Sequence, residues 1–288
     1  MMTSRINPRL LWRKSLSAVM LSLTGVCAVV AVSVLFLILG YLVIHGGRSV
    51  NWDFFTKLPA PVGELGGGMA NAILGSAKLL ALASLIGVPI GLMGGVHLAE
   101  FEGHGIGFVV RYAADLLNGT PSIVIGIFAY ALLVLPFKHF STFSGAFALG
   151  IMMIPITLRS TEEFLRAVPL ALREGALALG ASKSRAILTV VLPAAYRGIL
   201  TAVLLALARV AGETAPLLFT AFSNRFWSPG WNQPTASLPV MIYTYAVSPY
   251  DDWHRQAWAA GLLLLGLVLV INLLARVVLL RGAAARRS

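Results

Sequence analysis

The chain has 288 residues, 58% of them hydrophobic and only 11% charged, with a mean hydropathy of +0.85. A water-soluble domain carries roughly a quarter charged residues, so this chain cannot cover its own surface with polar groups and its exterior must face lipid. The net charge of +11 comes from Lys and Arg in short segments between apolar runs, which fixes membrane orientation and argues against nucleic acid as a partner.

Residues 1–17 form a basic tail with Arg5, Arg9, Arg13 and Lys14. The charge-free run 15–44 is too long for the core of a signal peptide, so 18–44 reads as a retained first crossing. It contains Cys27, the only cysteine, which excludes a disulfide framework and a cysteine-based metal site. The five histidines are scattered without metal-ligand spacing. Residues 45–69 are a Gly/Pro-rich connection that cannot continue a helix.

The body, 70–276, holds the remaining crossings, since a helix needs about 20 apolar residues to span the hydrocarbon core. The second is predicted at 65–99, whose only charge, Lys78, has a stem long enough to reach an interface. Arg111 and Asp115 follow, one turn apart, and are expected to pair. The third crossing, 116–137, contains Asn-Gly-Thr-Pro-Ser at 118–122, where Pro121 should break the helix. The fourth, 140–158, ends at Arg159. The fifth, about 198–223, carries Arg209 and Glu213, expected on one helical face. Gly212, Thr214 and Pro216 loosen the helix around them. The sixth is 256–275, and 277–288 is a second basic tail. With the N-terminus in the cytoplasm, fifteen basic residues fall inside against five outside, which predicts six helical spans with both termini cytoplasmic. Outside, 224–255 is rich in Trp, Tyr and Pro, and Leu238–Ala246 reads as a short amphipathic helix.

Between the fourth and fifth crossings, 159–197 reads as a helix over 170–179, a stop at Gly180 and a second helix capped by Ser182. Pro193 is expected to bend the chain into the next span. This helix–Gly–helix elbow suits a groove on a partner protein. The stretch "EGALALGASKSRAILTVVLP" resembles the EAA loop of ATP-binding-cassette importer permeases. Glu174, Ala176, Gly180, Leu192 and Pro193 match, Gly175 replaces the first Ala, and Val190 stands where Ile is expected. The stretches "LLNGTPSIVIGIFAY", "RVAGETAPLLFTAF" and "SLPVMIYTYAVSP" resemble the narrower group of PstA-type phosphate-importer permeases.

The resemblance implies an all-α integral membrane protein of the type I importer permease fold in a bacterial inner membrane. It implies a working complex with an ATPase dimer, a homologous second permease and an extracytoplasmic phosphate-binding protein. The chain has no Gly-Lys dipeptide and hence no phosphate loop of its own. It is expected to bind no cofactor, ATP and Mg being used by the ATPase. Arg209, whose guanidinium suits an oxyanion, is expected to contact or steer phosphate, with Glu213 as tether; a clamp between helices is the alternative. Arg159 is a second anion contact or an interfacial anchor. Sulfate or molybdate import, and an ATP-independent channel or secondary transporter, are the rival readings. No nucleophile or general base is visible, so the chain itself reads as a non-enzyme.

Overall fold

The computed structural model describes residues 8–61, 63–64, 66–101 and 105–284; Arg5, Arg286 and Arg287 of the expected basic tails lie outside them. Eleven helices are named here among the described residues. They are α1 (Pro8–Gly47), α2 (Trp52–Thr56), α3 (Ala70–Glu100) and α4 (Gly105–Gly119). Next come α5 (Ser122–Phe137), α6 (Thr142–Arg166), α7 (Leu170–Ala178) and α8 (Lys183–Ala211). The last are α9 (Ala215–Thr220), α10 (Leu238–Ala246) and α11 (Asp251–Ala284). The only β pairing among the described residues is an isolated bridge between Pro59 and Gly67.

Among the described residues, five helices are long and apolar enough to cross a membrane: α1, α3, α6, α8 and α11. The third expected crossing is divided more sharply than a loosened helix, because α4 and α5 meet at an angle of 105°. Thr120 and Pro121 form the corner, where proline supplies no backbone donor and disfavours helical geometry in the residue before it. The described residues therefore hold six crossings only if the bent pair counts as one.

Proline also shapes two helices without ending them. The Pro136 ring would press on the carbonyl of Leu132, and the Pro193 ring on that of Thr189. Each of those carbonyls lies in a widened π turn, Tyr130–Val134 or Ile187–Val191. The Leu135 and Leu192 N–H groups accordingly reach back five residues, to Tyr130 and Ile187. The expected bend at Pro193 is thus replaced by one continuous α8.

The core is built on a seam between α3 and α6. A Cβ added at Gly91 would lie 2.7 Å from the Thr157 Cβ, and one at Gly95 would lie 2.5 Å from the Thr161 Cβ. Only glycine allows the backbones this close, the device that packs helices tightly when lipid supplies no hydrophobic drive between them. Around the seam, Leu79, Ala83, Leu149, Met153, Val210 and Leu217 form the main buried cluster, which joins α3 and α6 to α8 and α9. Along α11 run α8, α10 and α1, with Tyr41 edge-on to Trp258 at 5.0 Å between centroids. Most of α1, Cys27 included, is exposed.

The first turn of α6 meets the loop 221–237. Thr142 N–H donates to the Gln233 carbonyl at 2.9 Å and Phe143 N–H to that of Trp231 at 3.0 Å. Lys78 reaches the same loop, donating to the Ser228 carbonyl at 2.5 Å, as its long stem suggested. Leu238–Ala246 is the short helix expected there, and Arg225 links it to the preceding connection by donating to the Ala60 carbonyl at 2.9 Å. Burial pushes the Tyr245 phenol above its ordinary 10.0; the charge and hydrogen bond of Arg225 oppose that rise, and Asp252 adds to it.

Candidate functional site: an arginine-bearing face and an elbow

The elbow forms as its residues dictate. α7 begins after Pro169 and closes with Gly180 at φ +83°, a left-handed value suited to a residue without a Cβ. Ser182 Oγ accepts from the Arg185 N–H at 3.4 Å and caps the start of α8. Residues 170–178 include no buried side chain, and Leu170, Leu172, Leu177 and Leu179 are exposed, Leu179 at 92%. Glu174, Gly175 and Gly180 are also exposed, with Ala176 half-buried. Leu192 is half-buried and Pro193 exposed on α8. Leu170 with Leu177, and Leu172 with Leu179, expose apolar surface on opposite sides of this short helix, surface of the kind that a partner groove can cover.

Beside the elbow, where α3, α4 and α6 converge, lies an ionic cluster centred on Glu162. Its side chain is 5% exposed, yet three guanidiniums reach it: Arg111 at 2.7 Å, Arg159 at 3.0 Å and Arg166 at 3.1 Å. Arg159 also pairs with Asp115 at 3.1 Å. The expected Arg111–Asp115 pair is therefore replaced. Arg111 crosses to α6 instead, where it gains a well-shielded carboxylate, and it donates a second bond to the Leu98 carbonyl at 3.1 Å. Arg159 is neither a free anchor nor an open anion contact in this conformation, because two carboxylates occupy it.

Arg209 stands apart. α8 ends at Ala211, and Glu213 lies in the break before α9, its N–H bonded to the Val210 carbonyl at 3.1 Å. The one-turn spacing that would have joined the pair needs a continuous helix. Here no hydrogen bond or ion pair among the described residues joins them, which corrects the expected tether. Arg209 is exposed on the same side of α8 as Leu205, one turn before it. A charge facing lipid costs at least about 2.5 kcal/mol on insertion scales, so this stripe is suited to water or another protein surface and not to hydrocarbon. A small cavity of about 10 Å³ near the end of α8, lined by Ser76, Leu80, Val210 and Ser237 among others, has room for about one water.

Glu162 and Glu100 carry much of the elbow-end geometry and were not singled out from sequence. The spacing of Glu162 from Arg159 and Arg166, three and four residues, is a readable local signal. Its partner Arg111, 51 residues away, is not.

A family profile described as "Binding-protein-dependent transport system inner membrane component" matches residues 87–281. The phosphate transport system permease protein PstA of Yersinia pestis is 43% identical over 268 residues, covering 93% of this chain and 91% of that protein. Its namesake from Haemophilus influenzae is 44% identical over 277 residues, covering 96% and 98%. Among solved structures, the inward-facing MetNI methionine transporter is similar with a TM-score of 0.57 at 21% identity, covering 73% of this chain and 95% of that one. A bacterial alginate transporter in complex with a pentasaccharide-bound periplasmic protein gives 0.57 at 16% identity, covering 92% and 95%.

Proposed function

The chain belongs to the family of binding-protein-dependent transport system inner membrane components, and from that premise we propose that it forms half of the translocation pathway of an ATP-driven inorganic phosphate importer. The observation that carries the reading is Arg209: an exposed guanidinium without a partner among the described residues, beside a helix break, within a chain whose close relatives are phosphate permeases. The stripe of α8 that bears it faces the homologous second permease across a hydrated route. Guanidinium is always charged and offers paired donors to an oxyanion. Arg209 is the open contact in the conformation described. Arg159, held by Asp115 of α4 and by Glu162 of its own helix, becomes available only when both contacts are released. Glu213 lines the route near Arg209 and keeps the anion from binding too tightly.

The elbow, with Glu174 free of ion pairs among the described residues and its leucines exposed, seats in a groove of the ATPase dimer, which uses ATP and Mg. The loops at the other end of the bundle receive an extracytoplasmic phosphate-binding protein. ATP binding draws the paired elbows together and opens the helices outward; hydrolysis and release return the route to the inside. The distribution of basic residues supports an inner-membrane protein with both termini cytoplasmic.

The test is Arg209→Gln in vesicles holding the whole complex. The exposed substitution should leave folding intact while ATP-driven phosphate uptake drops by at least about tenfold, the cost of one lost charged hydrogen-bonding contact. Unchanged uptake would sink the anion-contact reading. Competition by sulfate or molybdate as effective as that by phosphate would overturn the substrate. Uptake by this chain alone without nucleotide would overturn the ATP-driven mechanism.

A further inference from the structure

α7 buries no side chain and so has little apolar grip on the bundle, whereas Ala186, Ile187 and Val191 at the start of α8 are buried. A docked ATPase can move the membrane helices only through a firm attachment of both arms. The attachment points lie in the side chains that turn back. Arg173, on α7, is only 17% exposed, and its Nη1 donates to the Glu100 carboxylate, itself 7% exposed. Its Nη2 donates to the Leu165 carbonyl at the end of α6. From the other arm of the elbow, Lys183 donates to the backbone carbonyl of Glu100 at 2.6 Å and lies 4.4 Å from the centre of the Phe101 ring. Both arms therefore converge on the last residue of α3.

The position is telling on electrostatic grounds. A carboxylate at a helix C-terminus opposes the helix dipole, so Glu100 is unfavourable for α3 taken alone. Arg173 neutralises it, and Lys183 caps the terminal carbonyl that the helix leaves unsatisfied. Charged hydrogen bonds of this kind are directional and among the strongest that side chains make. Behind Glu100, the glycine contacts at Gly91 and Gly95 bind α3 to α6 at nearly zero clearance.

We propose that Glu100 is the positioning residue that clamps both arms of the elbow to α3, so that displacement of α7 is delivered to the α3–α6 pair and not absorbed by the loop. The inference rests on the reading that the elbow docks on the ATPase, and its failure is separable from the failure of that reading. The experiment compares wild type, Glu100→Gln, Arg173→Gln, the double variant and Glu100→Asp, each in vesicles with the companion permease, ATPase and phosphate-binding protein. Phosphate taken up per ATP hydrolysed is measured alongside copurification of the ATPase.

In Glu100→Gln the ATPase should still copurify at the wild-type ratio while uptake per ATP falls about tenfold, the equivalent of one charged hydrogen bond. The double variant should be no worse than the poorer single one, as residues acting as a unit require. Glu100→Asp, which keeps the charge, should recover most of the coupling. If Glu100→Gln does not fold, Arg173→Gln and Glu100→Asp carry the same comparison. An unchanged uptake-to-ATP ratio, or additive losses in the double variant, overturns the clamp. An ATPase that does not bind the wild-type elbow overturns the docking reading, and the clamp with it.

Discussion

The seam between α3 and α6 and the elbow formed by α7 and the start of α8 lie in one molecule but are held by opposite means. The seam is contact without charge: glycines let two backbones meet, and dispersion over many close atoms holds them. The outer arm of the elbow, α7, is held by charge with little apolar contact, tied through Arg173 to Glu100 while its leucines remain uncovered. A densely packed interface transmits displacement because it cannot deform gradually. A loop held at a few directional points can be carried as a body and still leave its outer face free for a partner. The difference assigns stiffness to the interior and recognition to the rim.

The largest expected effect comes from breaking the seam. At Gly91 any side chain meets the Thr157 Cβ at 2.7 Å and the Ile154 carbonyl at 2.9 Å. Overpacking by a methylene or two already costs roughly 1–3 kcal/mol. Gly91→Leu should therefore leave no folded protein, read as aggregation in detergent size-exclusion chromatography; a monodisperse variant with the wild-type melting temperature would contradict the account. Next is Glu162→Ala, which strips three guanidiniums of their shared carboxylate. Breaking a fully buried pair costs roughly 3–5 kcal/mol. With the arginine side chains 32–43% exposed, screening reduces this to about 2 kcal/mol, measurable by denaturation in detergent. Equal stability would show the cluster to be ornamental.

At the elbow the same logic predicts the reverse pattern. Leu179→Asp should leave stability within about 0.5 kcal/mol, as exposed substitutions do, while abolishing copurification of the ATPase. A variant that lost stability but kept its partner would blur the contrast between seam and rim. The smallest effect concerns Tyr245. Its phenol is held neutral above the ordinary value of 10.0, so the fold's advantage is complete below that pH and declines as pH rises through the higher folded value. Wild type should lose melting temperature relative to Tyr245→Phe between about pH 9 and 11. Parallel pH profiles would show that burial does not hold the phenol neutral.

Much of this was legible because it is written locally. The corner at Pro121, the left-handed Gly180, the Ser182 cap and the break around Gly212 each follow from what one or two residues permit the backbone to do. The charges were harder to read. Arg111 has a carboxylate one turn away in Asp115 but pairs with Glu162 across the bundle, because burial between helices shields that contact from water as the local one is not. Arg209 and Glu213 have the spacing of a pair, yet the break between them removes the helical geometry on which spacing depends.

The amino-acid sequence by itself determined that the chain is lipid-facing and helical and that Pro121 and Gly180 interrupt its helices, since hydropathy and backbone chemistry act over a few residues. It also determined the elbow's Gly180 stop and Ser182 cap, which are short-range devices, though not the passage of α8 straight through Pro193. Only the tertiary structure decided that α3 and α6 fuse along glycines, that Glu162 gathers three arginines, and that Glu100 receives both arms of the elbow. Those contacts join residues up to 83 positions apart, and a Coulomb or dispersion contact depends on separation in space, which the folded bundle alone supplies.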